Sequence, residues 1–291
     1  MKSTITEIKE RFDNDVERFS NLETGQQSTI DATISLELIT EASKAIRPEA
    51  THLLDIGCGA GNYTLKMLSK LPGLNCTLID LSKPMLDKAF ERVSSQTEEV
   101  NILQGDIREI VLPENSFDII LAGAVLHHLR DDADWMDTFR KIFSLLKPGG
   151  CLMISDLVTQ DTIQVNDLIW NKYGDYLENL NGKDYRQKVM DYIAKEDSPR
   201  SLTYQLNLMQ KVGFSQVEVL HKNLCFAAFG ALNSSFNDHI VNYDPFPKLA
   251  ILVYKSFMNG MHLVIILVFD TIKIHQLRNV KTIINHISFF R

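Results

Sequence analysis

The chain has 291 residues, enough for one large α/β domain with an appendage, and its 45% hydrophobic and 23% charged content is that of a globular protein, which excludes wholesale disorder. The net charge of −7 is unevenly spread: residues 233–291 hold six of the 30 Lys/Arg and three of the 37 acids, leaving 24 against 34 upstream. So acidic a body does not suit a phosphate backbone, whose non-specific grip comes from Lys and Arg, and nucleic acid is not an expected partner.

In chain order, Ile5, Ile8, Phe12, Val16 and Phe19 recur at spacings of three and four, which predicts an N-terminal helix packing as a cap over residues 1–27. A second helix is expected from about Ser28 to Ala45, stopping before Pro48. Strands and helices then alternate. The strands are His52–Ile56, Asn75–Asp80, Val100–Gln104, Phe117–Ala122 and Cys151–Leu157, and the helices lie near Gly61–Leu71, from Ser82 to Ser94, and Asp134–Leu146. Ser82 is a candidate N-cap with Pro84 in the first turn. Such alternation implies βαβ units: a parallel, Rossmann-like α/β sheet with helices on both faces.

Residues 161–198 read as a helical insert carrying Trp170, Tyr173, Tyr176, Tyr185 and Tyr192, which is either a lid over a pocket or a packing stripe. A helix near Leu202–Lys211 leads to Gln216–His221 and Leu224–Ala231, joined too tightly for a crossover and therefore expected as an antiparallel hairpin. After Leu232 the composition breaks, with no Glu and only Gly260 to the end. The apolar run Leu263–Phe269 is far short of the roughly 20 residues a spanning helix needs, so no transmembrane span is expected. A buried or membrane-surface helix, an oligomerisation element forming a homodimer, a disordered tail, and a non-native extension from an altered reading frame all stay open for 233–291. The four cysteines, Cys58, Cys76, Cys151 and Cys225, form no C-x-x-C pair, so no metal site is expected. The N-terminus has no apolar signal core, and a cytoplasmic location is expected.

The strongest motif is Leu53-Leu54-Asp55-Ile56-Gly57-Cys58-Gly59-Ala60-Gly61-Asn62, a strand running through a glycine-rich turn into a helix. Small residues let a ligand lie against bare backbone beside unpaired helix N–H groups. A dinucleotide fingerprint, G-x-G-x-x-G, would need glycine where Asn62 stands, which disfavours an NAD-dependent oxidoreductase. Asp55 is placed to receive an ammonium group, Asp80 at the end of the second strand to accept ribose hydroxyls, and Asp106 to accept from an adenine amino group covered by Ile107. The alternative is that these are ordinary acidic turns.

Asp55-x-Gly57-x-Gly59-x-Gly61, Asp80, Gly105-Asp106, Leu126-His127-His128-Leu129 and Leu146-Lys147-Pro148-Gly149-Gly150 together resemble the motif series of class I S-adenosylmethionine-dependent methyltransferases. The resemblance covers about residues 28–232 and implies a seven-stranded sheet whose last strand is antiparallel, with S-adenosyl-L-methionine as cofactor. It places Asp55, Gly57, Cys58, Gly59, Gly61, Asp80, Leu81, Asp106 and Ile107 at that cofactor and implies methyl transfer to a small-molecule acceptor. His127 and His128 follow the fourth strand at the same sheet edge, and one could deprotonate the acceptor; alternatively the pair orders the loop.

Phe12-Asp13, the helical insert and Met209–Phe214 are also similar to carboxy-S-adenosylmethionine synthases. There an arginine expected to hold the extra carboxylate falls on Leu208, with Arg200 and Arg186 as candidate substitutes. A third reading is a cofactor-binding module without turnover.

Overall fold

A computed structural model describes residues 2–21, 27–233, 249–258 and 261–270. The chain divides into two compact units, residues 1–237 and 238–291.

The first unit is built on seven strands: β1 (His52–Ile56), β2 (Asn75–Asp80), β3 (Val100–Gln104), β4 (Phe117–Gly123), β5 (Leu146–Leu157), β6 (Gln216–Asn223) and β7 (Phe226–Leu232), in the order β3-β2-β1-β4-β5-β7-β6. The first five pair parallel, and β7 runs antiparallel to both β5 and β6. Apart from His52, Asp55 and Asp118, β1 and β4 are apolar because both of their faces are buried, as in a parallel sheet covered by helices. Leu53, Ile119 and Leu121 join the core on one face, and Leu54, Ile56, Ile120 and Ala122 join the core on the other.

The first face is covered by α3 (Ala32–Ile46), α4 (Asn62–Lys70) and α5 (Lys83–Val93), through Leu36, Ile39, Met67, Leu86 and Ala89. The second is covered by α6 (Asp132–Leu145) and α8 (Leu202–Val212), through Trp135, Phe139, Ile142, Leu208 and Met209. Strand order reverses direction between β1 and β4, and in such sheets a crevice opens there, beyond the strands' carboxyl ends.

Several boundaries differ from the sequence reading for identifiable reasons. The N-terminal helix is two: α1 (Ile5–Asp13), opened by a Thr4–Glu7 capping box and closed at Asn14, and α2 (Val16–Ser20). α3 starts at Ala32 rather than Ser28 because Asp31 is left-handed (φ 56°), and its carboxylate accepts from His221 and Asn223, each at 2.8 Å. β5 begins at Leu146 because Asn233 pairs with the glycine pair: Gly149 N donates to Asn233 O (2.5 Å) and Asn233 N to Gly150 O (2.9 Å).

The insert is α7 (Ile163–Glu196), broken at Asn181 and Gly182, where the backbone leaves helical geometry. Its aromatic stripe is packing. Tyr173 and Leu177 bury against Ile30, Leu157 and Phe226, and the Tyr173 and Tyr176 hydroxyls donate to Ser28 O (2.9 Å) and Gln27 O (2.8 Å).

In the second unit, β8 (Leu249–Met258) and β9 (Met261–Asp270) pair as an antiparallel hairpin, from Leu249 opposite Asp270 to Met258 opposite Met261. This corrects the helical reading of that run; β-branched Val253, Val264, Ile265, Ile266 and Val268 favour extended backbone. Among the described residues no helix is long and apolar enough to cross a membrane.

Leu121 is fully buried in the central strand β4. Leu121→Ala is expected to lower unfolding free energy by about 2–5 kcal/mol in urea titration, through lost burial and the cavity left behind.

Candidate functional site

β1 delivers the chain into the Gly57–Gly61 turn, and three of its residues have positive φ. At Gly57 (φ +66°) an added Cβ would lie 2.5 Å from a Val125 methyl carbon, so this position must be bare for the turn to pass under the loop after β4. Gly61 (φ +82°) opens α4 in the left-handed region.

Asp55 sits beneath the turn rather than in it. Its carboxylate is buried and accepts from Thr64 Oγ1 at 2.6 Å, and burial raises its pKa to about 7. Asp80 reaches across from β2: Oδ2 accepts from Gly59 N (2.8 Å) and Oδ1 from Ser82 N (2.9 Å). Burial lifts Asp80 to about 6, although the N–H groups of Ser82, Gly59 and Leu81 pull the other way. Asp106 is held by Arg108 through Nη2 (2.6 Å) and Nε (3.0 Å); despite burial, these bonds keep it below the ordinary carboxylate range.

These elements surround a cavity of about 350 Å³. Of the residues selected from sequence, Gly57, Cys58, Gly59, Asp80, Leu81, Asp106, Ile107 and His128 line it. Asp55, Gly61 and His127 stand behind the wall.

His127 is 8% exposed. Its Nδ1 is paired with Asp156, whose Oδ2 also accepts from Leu126 N (2.9 Å) and His127 N (3.2 Å). Burial works against its charge, but Asp156 and Asp197 outweigh burial and raise it to about 9, so it is an imidazolium at neutral pH. His128 is its opposite: burial, with His127 beside it, holds it well below its ordinary value. Only the neutral His128 faces the cavity, edge-on to Phe12 with ring centroids 6.1 Å apart.

The N-terminal cap expected from the sequence also lines the cavity, which the sequence did not show. Ile5, Ile8, Phe12 and Phe19 of the two N-terminal helices close the cavity, joined by Tyr63, Arg108 and Arg130. Arg130 ties this cap down by donating to Ser3 O (2.9 Å) and to Glu196 O. Asn62, read only as a departure from the dinucleotide pattern, donates to Phe19 O (2.8 Å) and accepts from Arg92 Nη1 (2.9 Å), so it joins the cap to the glycine turn. The periodic apolar residues of the cap were a usable signal; the Asn62 contact, spanning 43 residues, was not.

The positions raised for an extra carboxylate lie elsewhere. Leu208 is in the core, Arg200 pairs with Asp132, and Arg186 with Asp175 and Glu178; none lines the cavity.

Residues 53–150 match the family described as "Methyltransferase domain". A demethylmenaquinone methyltransferase of Listeria monocytogenes is 28% identical over 223 residues, covering 74% of this chain and 92% of the relative. A malonyl-[acyl-carrier protein] O-methyltransferase of Halalkalibacterium halodurans is 31% identical over 170 residues, covering 57% and 59%. Among solved structures, the 1,6-didemethyltoxoflavin-N1-methyltransferase of Burkholderia thailandensis, with S-adenosylhomocysteine bound, has a TM-score of 0.55 at 16% identity, covering 81% of this chain and 92% of that one. Human N-acetylserotonin methyltransferase, in complex with S-adenosylmethionine, has 0.54 at 17%, covering 80% of this chain but 60% of that one. These two likenesses are of fold.

Asp80→Asn removes the charge that would accept from a ribose. It is expected to weaken S-adenosylhomocysteine binding about tenfold to a hundredfold by calorimetry, the value of about 1.5–3 kcal/mol for a hydrogen bond to a charged group.

Proposed function

Because the chain is a class I S-adenosylmethionine-dependent methyltransferase, we propose that it transfers the cofactor's methyl group to a small acceptor with an apolar body, which enters against α1 and α2. The observation that carries this reading is the cavity itself. It is lined both by bare glycine backbone with Asp80 and Ile107, suited to a charged sulfur nucleoside, and by Ile5, Ile8, Phe12 and Phe19, suited to an apolar partner. In this reading the residues chosen from sequence that line the cavity contact the cofactor, while Asp55 and Gly61 shape the turn.

The acceptor's lone pair attacks the methyl carbon in line as the carbon–sulfur bond breaks, and S-adenosylhomocysteine leaves. Catalysis is then chiefly positioning and exclusion of water, which provides roughly 7–11 kcal/mol of barrier reduction. His128, on the cavity wall, receives the proton where the acceptor is a hydroxyl.

The relatives named for demethylmenaquinone make a demethylated naphthoquinol the first acceptor to test. The proposal includes a cytoplasmic, homodimeric enzyme with a cap at 1–27, a catalytic domain at 28–232 with its insert at 161–198, and an extension at 233–291. The buried, free state of all four cysteines supports a reducing compartment.

Pure protein incubated with methyl-labelled cofactor and either the naphthoquinol or a cell metabolite extract is expected to yield a labelled organic product; label in no fraction would contradict the reading. His128→Ala is expected to lower kcat about a hundredfold or more on a hydroxyl acceptor, with a smaller change in KM.

A further inference from the structure

At the cavity wall, His127, His128 and Asp197 form a cluster of which methyl transfer uses only His128. One nitrogen from each ring and one Asp197 oxygen all lie within 4.8 Å of one another. Asp197 Oδ1 is 3.6 Å from His127 Nε2 and 3.4 Å from His128 Nδ1. Ligands on a tetrahedral ion with bonds of about 2.0–2.2 Å sit about 3.3–3.6 Å apart, a range that includes both separations.

The two atoms aimed into this space are also unsatisfied. Asp197 Oδ1 and His128 Nδ1 are buried without a hydrogen-bond partner, and Asp197 is only 4% exposed. The nearby cations are engaged elsewhere: Arg11 on Glu196 at 2.8 Å, Arg130 on backbone carbonyls, and Lys2 on the carbonyls of Ala194 and Asp197. His127 meets the outer-shell requirement as well, because its remote Nδ1 is paired with the Asp156 carboxylate, the arrangement that fixes the tautomer of metal-bound histidines, and an ion at Nε2 takes the place of the proton there, which is released to solvent on binding.

We propose that His127 Nε2, His128 Nδ1 and Asp197 Oδ1 form a site for one divalent first-row transition ion, with its fourth position open toward the cavity that His128 lines. Two imidazoles and one carboxylate are a donor set for such ions, not for Mg²⁺ or Ca²⁺. Cysteine spacing could not reveal the site, since two of its ligands are sequence neighbours and the third lies at the end of the insert. An ion on Nδ1 fixes Nε2 of His128 as an N–H, so loading converts this residue from proton acceptor to ligand. Occupancy is readable without turnover, so failure of this proposal and failure of the methyl-transfer reading are separate outcomes.

Tag-free full-length protein, stripped with chelator, loaded with Zn²⁺ and dialysed, is expected to retain about one ion per chain. X-ray absorption is expected to show two imidazole nitrogens and oxygen at about 2.0–2.2 Å with no sulfur. Asp197→Asn should lose the ion while still binding S-adenosylhomocysteine. Retention well below one ion, a sulfur-containing shell, or equal retention by Asp197→Asn would overturn the proposal. If that variant does not fold, the wild-type stoichiometry and absorption spectrum decide the question.

Discussion

The Asp80 carboxylate, buried at the tip of β2 and clasping the glycine turn by its backbone, is the interaction on which the rest of the site depends. Through Gly59 N and Ser82 N it joins the end of one strand to the turn leaving its neighbour and to the start of α5. Asp55 does the same from below by way of Thr64. Both charges are held by neutral donors in a site that strips them of water, and their pKa values, about 6 and 7, record that cost. A cationic sulfonium with an ammonium group is the kind of ligand that offsets it. The sign follows from linkage: each folded carboxylate holds its proton more tightly than in the unfolded chain. Its contribution to stability is therefore present below the ordinary carboxylate range and is lost as pH rises through 6 to 7.

Against this charged side stands an apolar one made by residues distant in sequence. α1 and α2 do not belong to the sheet; they are fastened to it by Asn62, which holds Phe19 O, and by Arg130, which holds Ser3 O. The polar half of the cavity thus comes from strand tips, where the sheet topology requires a crevice, and the apolar half from a cap that hydrogen bonds hold down. That division matches a reaction in which a charged donor meets an uncharged acceptor.

The sheet was legible because its strands are apolar runs bounded by turn residues: β1, β2 and β3 begin and end where the pattern places them. The antiparallel end was legible from chain length alone, since the link between β6 and β7 is too short for a crossover. What local patterning could not show depends on remote partners. The left-handed Asp31 answers to His221 and Asn223, the early start of β5 to Asn233, and the seating of the cap to Asn62. Spacing likewise brought His127 and His128 to the correct sheet edge but could not say that one turns inward to Asp156 while the other faces the cavity.

The most direct test of the account is the pH dependence of S-adenosylmethionine affinity, measured by calorimetry between pH 5 and 8. If ligand binding requires the Asp80 carboxylate, affinity is steady near pH 8 and falls as pH drops through 6, by up to about tenfold per unit for a single proton taken up. No measurable affinity at any pH, or an affinity that does not change across that range, would contradict it.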